Sequence, residues 1–577
     1  MTSVNDKPLA AAESLTQASQ EMIDGLIRSL GAGHTPPAPE IVKSLAAGLV
    51  HDSSRLTEIQ NRYYQRQLQL WLKLAGEPTV ADAAAPAKPD RRFHAREWRE
   101  LPFFDYLRQS YLLNSQWLME IVDAAKLDAA SKKKLQFFTR QFIDAMAPSN
   151  FPATNPEALK LAGESGGESL ARGLQNLADD MAKGRISMTD ESAFEVGRNL
   201  ALTPGAVIFE NEFLQLVQYR PATETVYQRP LLIVPPCINK YYILDLQPEN
   251  SFVRYACEQG ATVFLISWRN MSSEMGHATW DDYLEHGVLA ALEVTRKICG
   301  AKIKINALGF CVGGTLLASA LAVLRAKGSI PVSSLTLLTT MLDFSDTGDI
   351  SVYVDDAYVE QIEQTYRTGG LMPGSQLAST FASLRANELI WHYVVNNYLK
   401  GKTPEAFDLL YWNSDGANLS GRMYAYYVRN MYLENKLKTP GQLSMCGVPV
   451  DLTRIQVPSY VLAAKEDHIV PWKTAYASAR LLGGKPEFVL TASGHIAGVV
   501  NPASKNRRSF WTNTSMPEDA EQWLSTAHEQ PGSWWRHWSA WLRGKSGERI
   551  AARAALGSAT YPEIEAAPGR YVKMRGE

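Results

Sequence analysis

Residues 309–315 read Gly-Phe-Cys-Val-Gly-Gly-Thr, with a strand-like stretch before them and a helix-like stretch after. A buried cysteine is ordinarily a small hydrophobe. Here, however, Gly309 and Gly313 stand two before and two after Cys311. That is the spacing of a nucleophile elbow, where the chain turns from strand to helix so sharply that larger flanking side chains would collide. The helix behind the turn aims its first N–H groups at the sulfur, surroundings that suit negative charge. The Val312 N–H is placed to donate to an oxyanion. The pattern is a serine-hydrolase elbow with sulfur in place of oxygen. Glycine-rich strand-to-helix turns also bind phosphate, but this one lacks the P-loop lysine and does not follow G-x-G-x-x-G.

A thiol nucleophile needs a base, and the base needs an orienting group. On a strand-elbow-helix scaffold they follow in the order nucleophile, acid, histidine, each at the carboxyl end of a strand. Asp467 lies just beyond the apolar run 458–465, and His495 just beyond the run 486–493. Asp467 would accept a hydrogen bond from one imidazole nitrogen while the other faces Cys311. His468 competes as the base or as a substrate contact, and Asp343, which ends the run 333–342, competes as the orienter. The other eight of the ten histidines sit in helical or loop contexts without a partner signal. A second oxyanion donor is expected from the loop after an earlier strand, with the Ile238 N–H as candidate and Cys237 beside it. Cys237 lacks flanking elbow glycines, so pocket lining or packing suits it better than nucleophilic attack.

These residues require an α/β sheet to position them. From about residue 204, short apolar runs at 230–238, 261–268, 304–310, 333–342, 458–465 and 486–493 alternate with helical stretches such as 280–299. Continuous apolar runs of this length are buried parallel strands with helices on both faces. The alternation stops at about 344–445, a stretch rich in Tyr, Trp and Asn that reads as an insertion over the carboxyl edge of the sheet. Residues before about 204 read as helical, with Ile41, Leu45, Leu49, Leu68, Trp71 and Leu72 at helical spacing and a linker of Ala and Pro at 77–90. The aromatic-dense stretch 103–125 either packs its own helical domain or docks on an apolar surface or a second subunit.

A chain of 577 residues exceeds one core, so two domains, or one with large insertions, are expected. With 58 basic and 60 acidic residues, no strongly basic surface for nucleic acid is expected. Five scattered cysteines form no disulfide framework or zinc pattern. No metal or prosthetic group is indicated. The N-terminal residues lack a signal-peptide pattern, and no apolar run suits a transmembrane segment. The expected compartment is the reducing cytoplasm.

The segments "GFCVGGT", "VPPCINKYYILDLQPE", "TVFLISWRN", "EDHIVPW" and "SGHIAGVVNP", with 147–158, 164–173, 189–201 and 532–542, resemble the polyhydroxyalkanoate synthases, especially the single-subunit class I enzymes. The resemblance covers nearly everything after about residue 90. It implies an α/β-hydrolase fold over 204–577 with a cap or lid insertion, preceded by a helical segment and linker (1–90) and a mostly helical domain (91–203) for dimerisation and granule association. It implies Cys311, Asp467 and His495 as catalytic residues and (R)-3-hydroxyacyl-CoA, most simply 3-hydroxybutyryl-CoA, as substrate. The growing polyester, its granule surface, phasin-type granule proteins and a second copy exchanging with monomer would be the partners. By motif, Cys237 and Asp245 would line the pocket, Trp412 and Asp415 would belong to the cap, and Arg385 would meet the phosphates of CoA. A cysteine-dependent thioesterase or acyltransferase would need the same three catalytic residues. An inactive scaffold at the granule would need none of them.

Overall fold

The structure is a computed structural model, which describes residues 53–76 and 90–576. Ile41, Leu45, Leu49 and residues 77–89 of the expected linker lie outside the described residues. The described residues divide into a helical unit, running to Asp190 and taking in Ser379–Ala406, and a sheet unit of Glu191–Ala378 and Phe407 onward.

The helical unit is built on α1 (Ser53–Leu74), α2 (Pro102–Ala124), α3 (Ala129–Ala145), α4 (Pro156–Glu164) and α5 (Glu168–Lys183). Local chemistry sets their ends. Proline occupies the first turn of α2 and α4, where its missing N–H costs nothing. Asp128 and Asn155 cap α3 and α4 by accepting from first-turn N–H groups. Helix α1 lies along α2, with Leu70 against Leu113 and the Tyr63 ring stacked 4.8 Å from Trp117.

Ser379–Ala406 completes this helical core. Its Ile390, Trp391, Val394, Tyr398 and Leu399 are buried with Ala145, Ala158 and Leu177. The Tyr398 hydroxyl donates to Asp180 Oδ2 at 2.7 Å, and Ser187 donates to the same carboxylate through its N–H at 2.8 Å and its hydroxyl at 2.5 Å. The expected single insertion at 344–445 is therefore interrupted, because its apolar middle is spent on the helical unit. Asp180→Ala leaves two hydroxyls and an N–H without their acceptor. It is expected to destabilise the protein by about 2–3 kcal/mol, read by thermal unfolding.

The sheet unit is built on an eleven-stranded sheet. They are β1 (Gly205–Glu210), β2 (Leu214–Tyr219), β3 (Leu231–Val234), β4 (Val263–Trp268), β5 (Ile305–Phe310), β6 (Val332–Leu338), β7 (Ser459–Ala464), β8 (Pro486–Thr491), β9 (Ser509–Thr512), β10 (His528–Pro531) and β11 (Glu565–Ala566). Their order is β10-β9-β8-β7-β6-β5-β3-β4-β2-β1-β11. Strands β3 to β8 are parallel to one another, and β2 joins them antiparallel. This 1-2-4-3-5-6-7-8 core is the α/β-hydrolase order, extended by antiparallel strands at both edges. The six apolar runs predicted as strands all lie in it. Strands β3 to β7 are buried nearly throughout, as coverage of both faces demands.

Helix α6 (Val312–Ala326) is part of the core on one face of the sheet. Helix α7 (Trp534–Arg543) packs in the other, burying Trp534, Trp535 and Trp538. Their indoles donate to Gly498 O, Val499 O and Thr336 Oγ1 at 2.9, 2.9 and 3.1 Å, so this tryptophan-rich helix ties down the loop after β8. Among the described residues, no helix is long and apolar enough to cross a membrane.

Candidate active site

Strand β5 ends at Phe310, and Cys311 turns the chain into α6 with φ 53° and ψ −130°. A side chain at that φ is strained, and such strain persists only where the surroundings over-determine it. Here the surroundings are tight. A Cβ at Gly309 would lie 2.4 Å from Gly314 Cα, and one at Gly313 would lie 2.3 Å from Val234 O. The Cys311 N–H donates to Leu338 O at 2.9 Å, fixing the elbow to β6.

Asp467 and His495 follow β7 and β8, adjacent parallel strands in matched register. His495 Nδ1 is 2.7 Å from Asp467 Oδ2, with both side chains buried. Asp467 Oδ1 accepts from the N–H groups of Ile469 and Val470 at 2.8 and 2.9 Å, which fixes the carboxylate. The imidazole stacks on Phe310 at 5.6 Å and lies within electrostatic reach of Cys311. Burial disfavours the imidazolium, but Asp467 and Cys311 outweigh it and raise His495 to about 10. The chain thus brings a sulfur, an imidazole and a carboxylate into one line at the carboxyl ends of three strands.

Around the sulfur the walls are apolar and aromatic. Cys237 is buried and its thiol is pushed up to about 12, chiefly by burial, with Cys311 adding to the shift. Tyr427 and Tyr432 are partly buried and lie within electrostatic reach of Cys311. Their rings are 5.3 Å apart, Phe344 meets them at 6.0 and 5.1 Å, and Trp280 stacks on Tyr427 at 5.3 Å.

Residues 89–256 match the family model described as "Poly-beta-hydroxybutyrate polymerase (PhaC) N-terminus", and residues 230–502 match the alpha/beta hydrolase fold. The chain is 53% identical to poly(3-hydroxyalkanoate) polymerase subunit PhaC of Cupriavidus necator, over 94% of this chain and 93% of that one. The chain belongs to the poly(3-hydroxyalkanoate) polymerase family. It is an acyltransferase. The subunit of the same name from Rhizobium meliloti is 42% identical over 93% of this chain and 89% of its own. Among solved structures, the monoacylglycerol lipase of Paleococcus ferrophilus is similar at 13% identity, over 58% of this chain and 99% of its own, with a TM-score of 0.34.

The other candidates of this polymerase fall in different places. Asp343 accepts from Ser345 at 2.9 and 2.6 Å and from Asn435 at 2.8 Å, and pairs with Lys438, so it organises its own loop. His468 is half-buried on the loop after β7, and it is His495 that engages the Asp467 carboxylate. Asp245 was expected to line the pocket. It is buried against Thr203 Oγ1 and Ser251 Oγ, which donate to it at 2.5 and 2.7 Å, and burial raises it to about 6 against their pull. It ties the segment before β1 to the loop after β3. Trp412 donates to Lys240 O at 2.7 Å, and Asp415 accepts from Tyr242 at 2.9 Å. Both therefore brace the 238–242 loop. Arg385 belongs to the helical unit, where its N–H donates to Ala382 O.

Two donors were expected from the backbone. Among the described residues, neither the Val312 nor the Ile238 N–H is paired with another backbone group. The Ile238 carbonyl accepts from Ala417 at 3.0 Å, which fixes the next peptide of the loop. Tyr427, Tyr432, Phe344 and Trp280 were not singled out from sequence. The aromatic density of 423–437 marks the segment, but not which rings face the sulfur.

Proposed function

We propose that the polymerase extends polyester from (R)-3-hydroxyacyl-CoA through a thioester on Cys311. The observation that carries this reading is His495, held by Asp467 at 2.7 Å and within electrostatic reach of the elbow cysteine among aromatic walls. The thiol proton rests on His495, and the Cys311 thiolate attacks the thioester carbonyl. The S–C bond to Cys311 forms, the bond to CoA breaks, and the imidazolium returns its proton to the departing CoA sulfur. One thioester replaces another, so the step is close to isoenergetic and the acyl group stays reactive. A hydroxyl of a second acyl chain then attacks, His495 takes its proton, an ester forms, and the Cys311 sulfur is released. Asp467 steadies the imidazolium in both steps. The N–H groups of Val312 and Ile238 hold the tetrahedral oxyanion, each worth about 3 kcal/mol.

Purified protein with (R)-3-hydroxybutyryl-CoA is expected to release CoA and form an insoluble polyester. CoA release with soluble hydroxy acid alone would make it a thioesterase, and absence of release would reject acyl transfer. The granule surface and a second copy are the expected settings for chain growth.

Water exclusion separates a polymerase from a thioesterase on this machinery. Tyr427→Ala opens the wall that Trp280 and Phe344 share with it. The variant is expected to raise the ratio of free hydroxy acid to polymer roughly tenfold while retaining CoA release, measured by chromatography of the soluble products.

A further inference from the structure

The loop that carries Ile238 contains a lysine with no role so far. Lys240 is 3% exposed, and its ammonium donates to the carbonyl of Met574. Burying an ammonium is costly unless its donors are satisfied. Burial pushes Lys240 below the ordinary lysine range; the Asp415 carboxylate opposes this, and the Arg575 guanidinium adds to it. Arg575 in turn donates to the Tyr411 hydroxyl at 2.9 Å and lies over the Tyr411 ring. The backbone of the same loop is gripped elsewhere: Lys240 O accepts from Trp412, Asn239 bridges Gly416, and Ile238 O accepts from Ala417. All of these grips come from 411–417, whereas the ammonium ties the loop to the segment 571–575.

We propose that Lys240 is a positioning residue for acyl transfer. Anchored on the Met574 carbonyl, its side chain fixes the backbone of 238–240, and with it the adjoining Cys237–Ile238 peptide, so that the Ile238 N–H meets the developing oxyanion. It touches no reacting atom itself. This inference rests on the acyl-transfer reading above.

The test uses Lys240→Met, which keeps the length of the side chain and removes its donor, and a second variant lacking residues 574–577. Acylation by (R)-3-hydroxybutyryl-CoA is compared with alkylation of Cys311 by iodoacetamide, followed by peptide mass spectrometry. Alkylation displaces iodide and forms no oxyanion. In each variant kcat is expected to fall about 10–100-fold, with KM and the alkylation rate changed less than about twofold. Because both variants cut one strut, the combined variant should be no slower than the slower single one. Unchanged kcat in both, equal losses in acylation and alkylation, or losses that multiply would overturn the proposal. Should Lys240→Met fail to fold, the shortened chain carries the same comparison. An active Cys311→Ala enzyme would instead reject acyl transfer through this sulfur, a result distinct from any outcome at Lys240.

Discussion

Cys311→Ala is expected to lower CoA release from (R)-3-hydroxybutyryl-CoA by at least about 10,000-fold, because it removes the sulfur that carries the acyl chain. Cys237 is the nearby thiol, but burial pushes it up to about 12 and no elbow presents it. Cys311→Ser keeps the shape of the turn and replaces the thiol with a hydroxyl far harder to ionise. A serine here is expected to lose most of the activity as well. The assay is CoA release in the first turnover, with mass spectrometry for an acyl group on residue 311. Near-normal polymer from the alanine variant would reject the mechanism. Fold is not at issue in either variant, since the strained φ of 53° is already tolerated at a residue with a Cβ.

His495→Gln is expected to reduce kcat roughly 1,000-fold, the scale of a lost general base. Asp467→Asn should fall in the same range, because an amide cannot stabilise an imidazolium. The pair also predicts a pH dependence of stability. His495 rises from 6.5 to about 10 on folding, so its protonated form is favoured in the folded protein. The stabilisation is fully present below about pH 6.5 and is lost as pH rises through about 10. Denaturant unfolding of the native enzyme and of His495→Gln should therefore differ most in mildly acidic buffer and converge above pH 10. In Cys311→Ala the imidazole loses one of the two groups that raise it, so its titration should move to lower pH.

The arrangement of Cys311, Asp467 and His495 is legible in the sequence because each directly follows an apolar strand, and strand ends in a parallel sheet converge on one edge. Position after a strand could not by itself choose between Asp467 and Asp343, which also follows one. The choice depends on side-chain partners: Asp343 is engaged by Ser345 and Asn435, and Asp467 by His495. Strand β2 escaped because Gln215 and Gln218 are buried within it, so neither an apolar run nor a polar face shows. Gln215 can sit there only because Glu210 and Glu565 accept from its amide at 2.7 and 2.5 Å, and Glu565 is 350 residues away. The partners of Asp245 are hidden from the sequence for a similar reason. A motif gives its neighbours in the chain, but Thr203, which holds it, lies 42 residues earlier.

The grouping of Ser379–Ala406 with the helices bears on how the chain is made. The carboxylate of Asp180 waits for Tyr398, 218 residues downstream, and Leu177 waits for Leu399. A ribosome therefore releases α2 to α5 long before their last partner exists, and β1 to β6 emerge in between. Nascent chains stopped before residue 379 should expose that unfinished apolar surface to chaperones and proteases, and those extended past 406 should not.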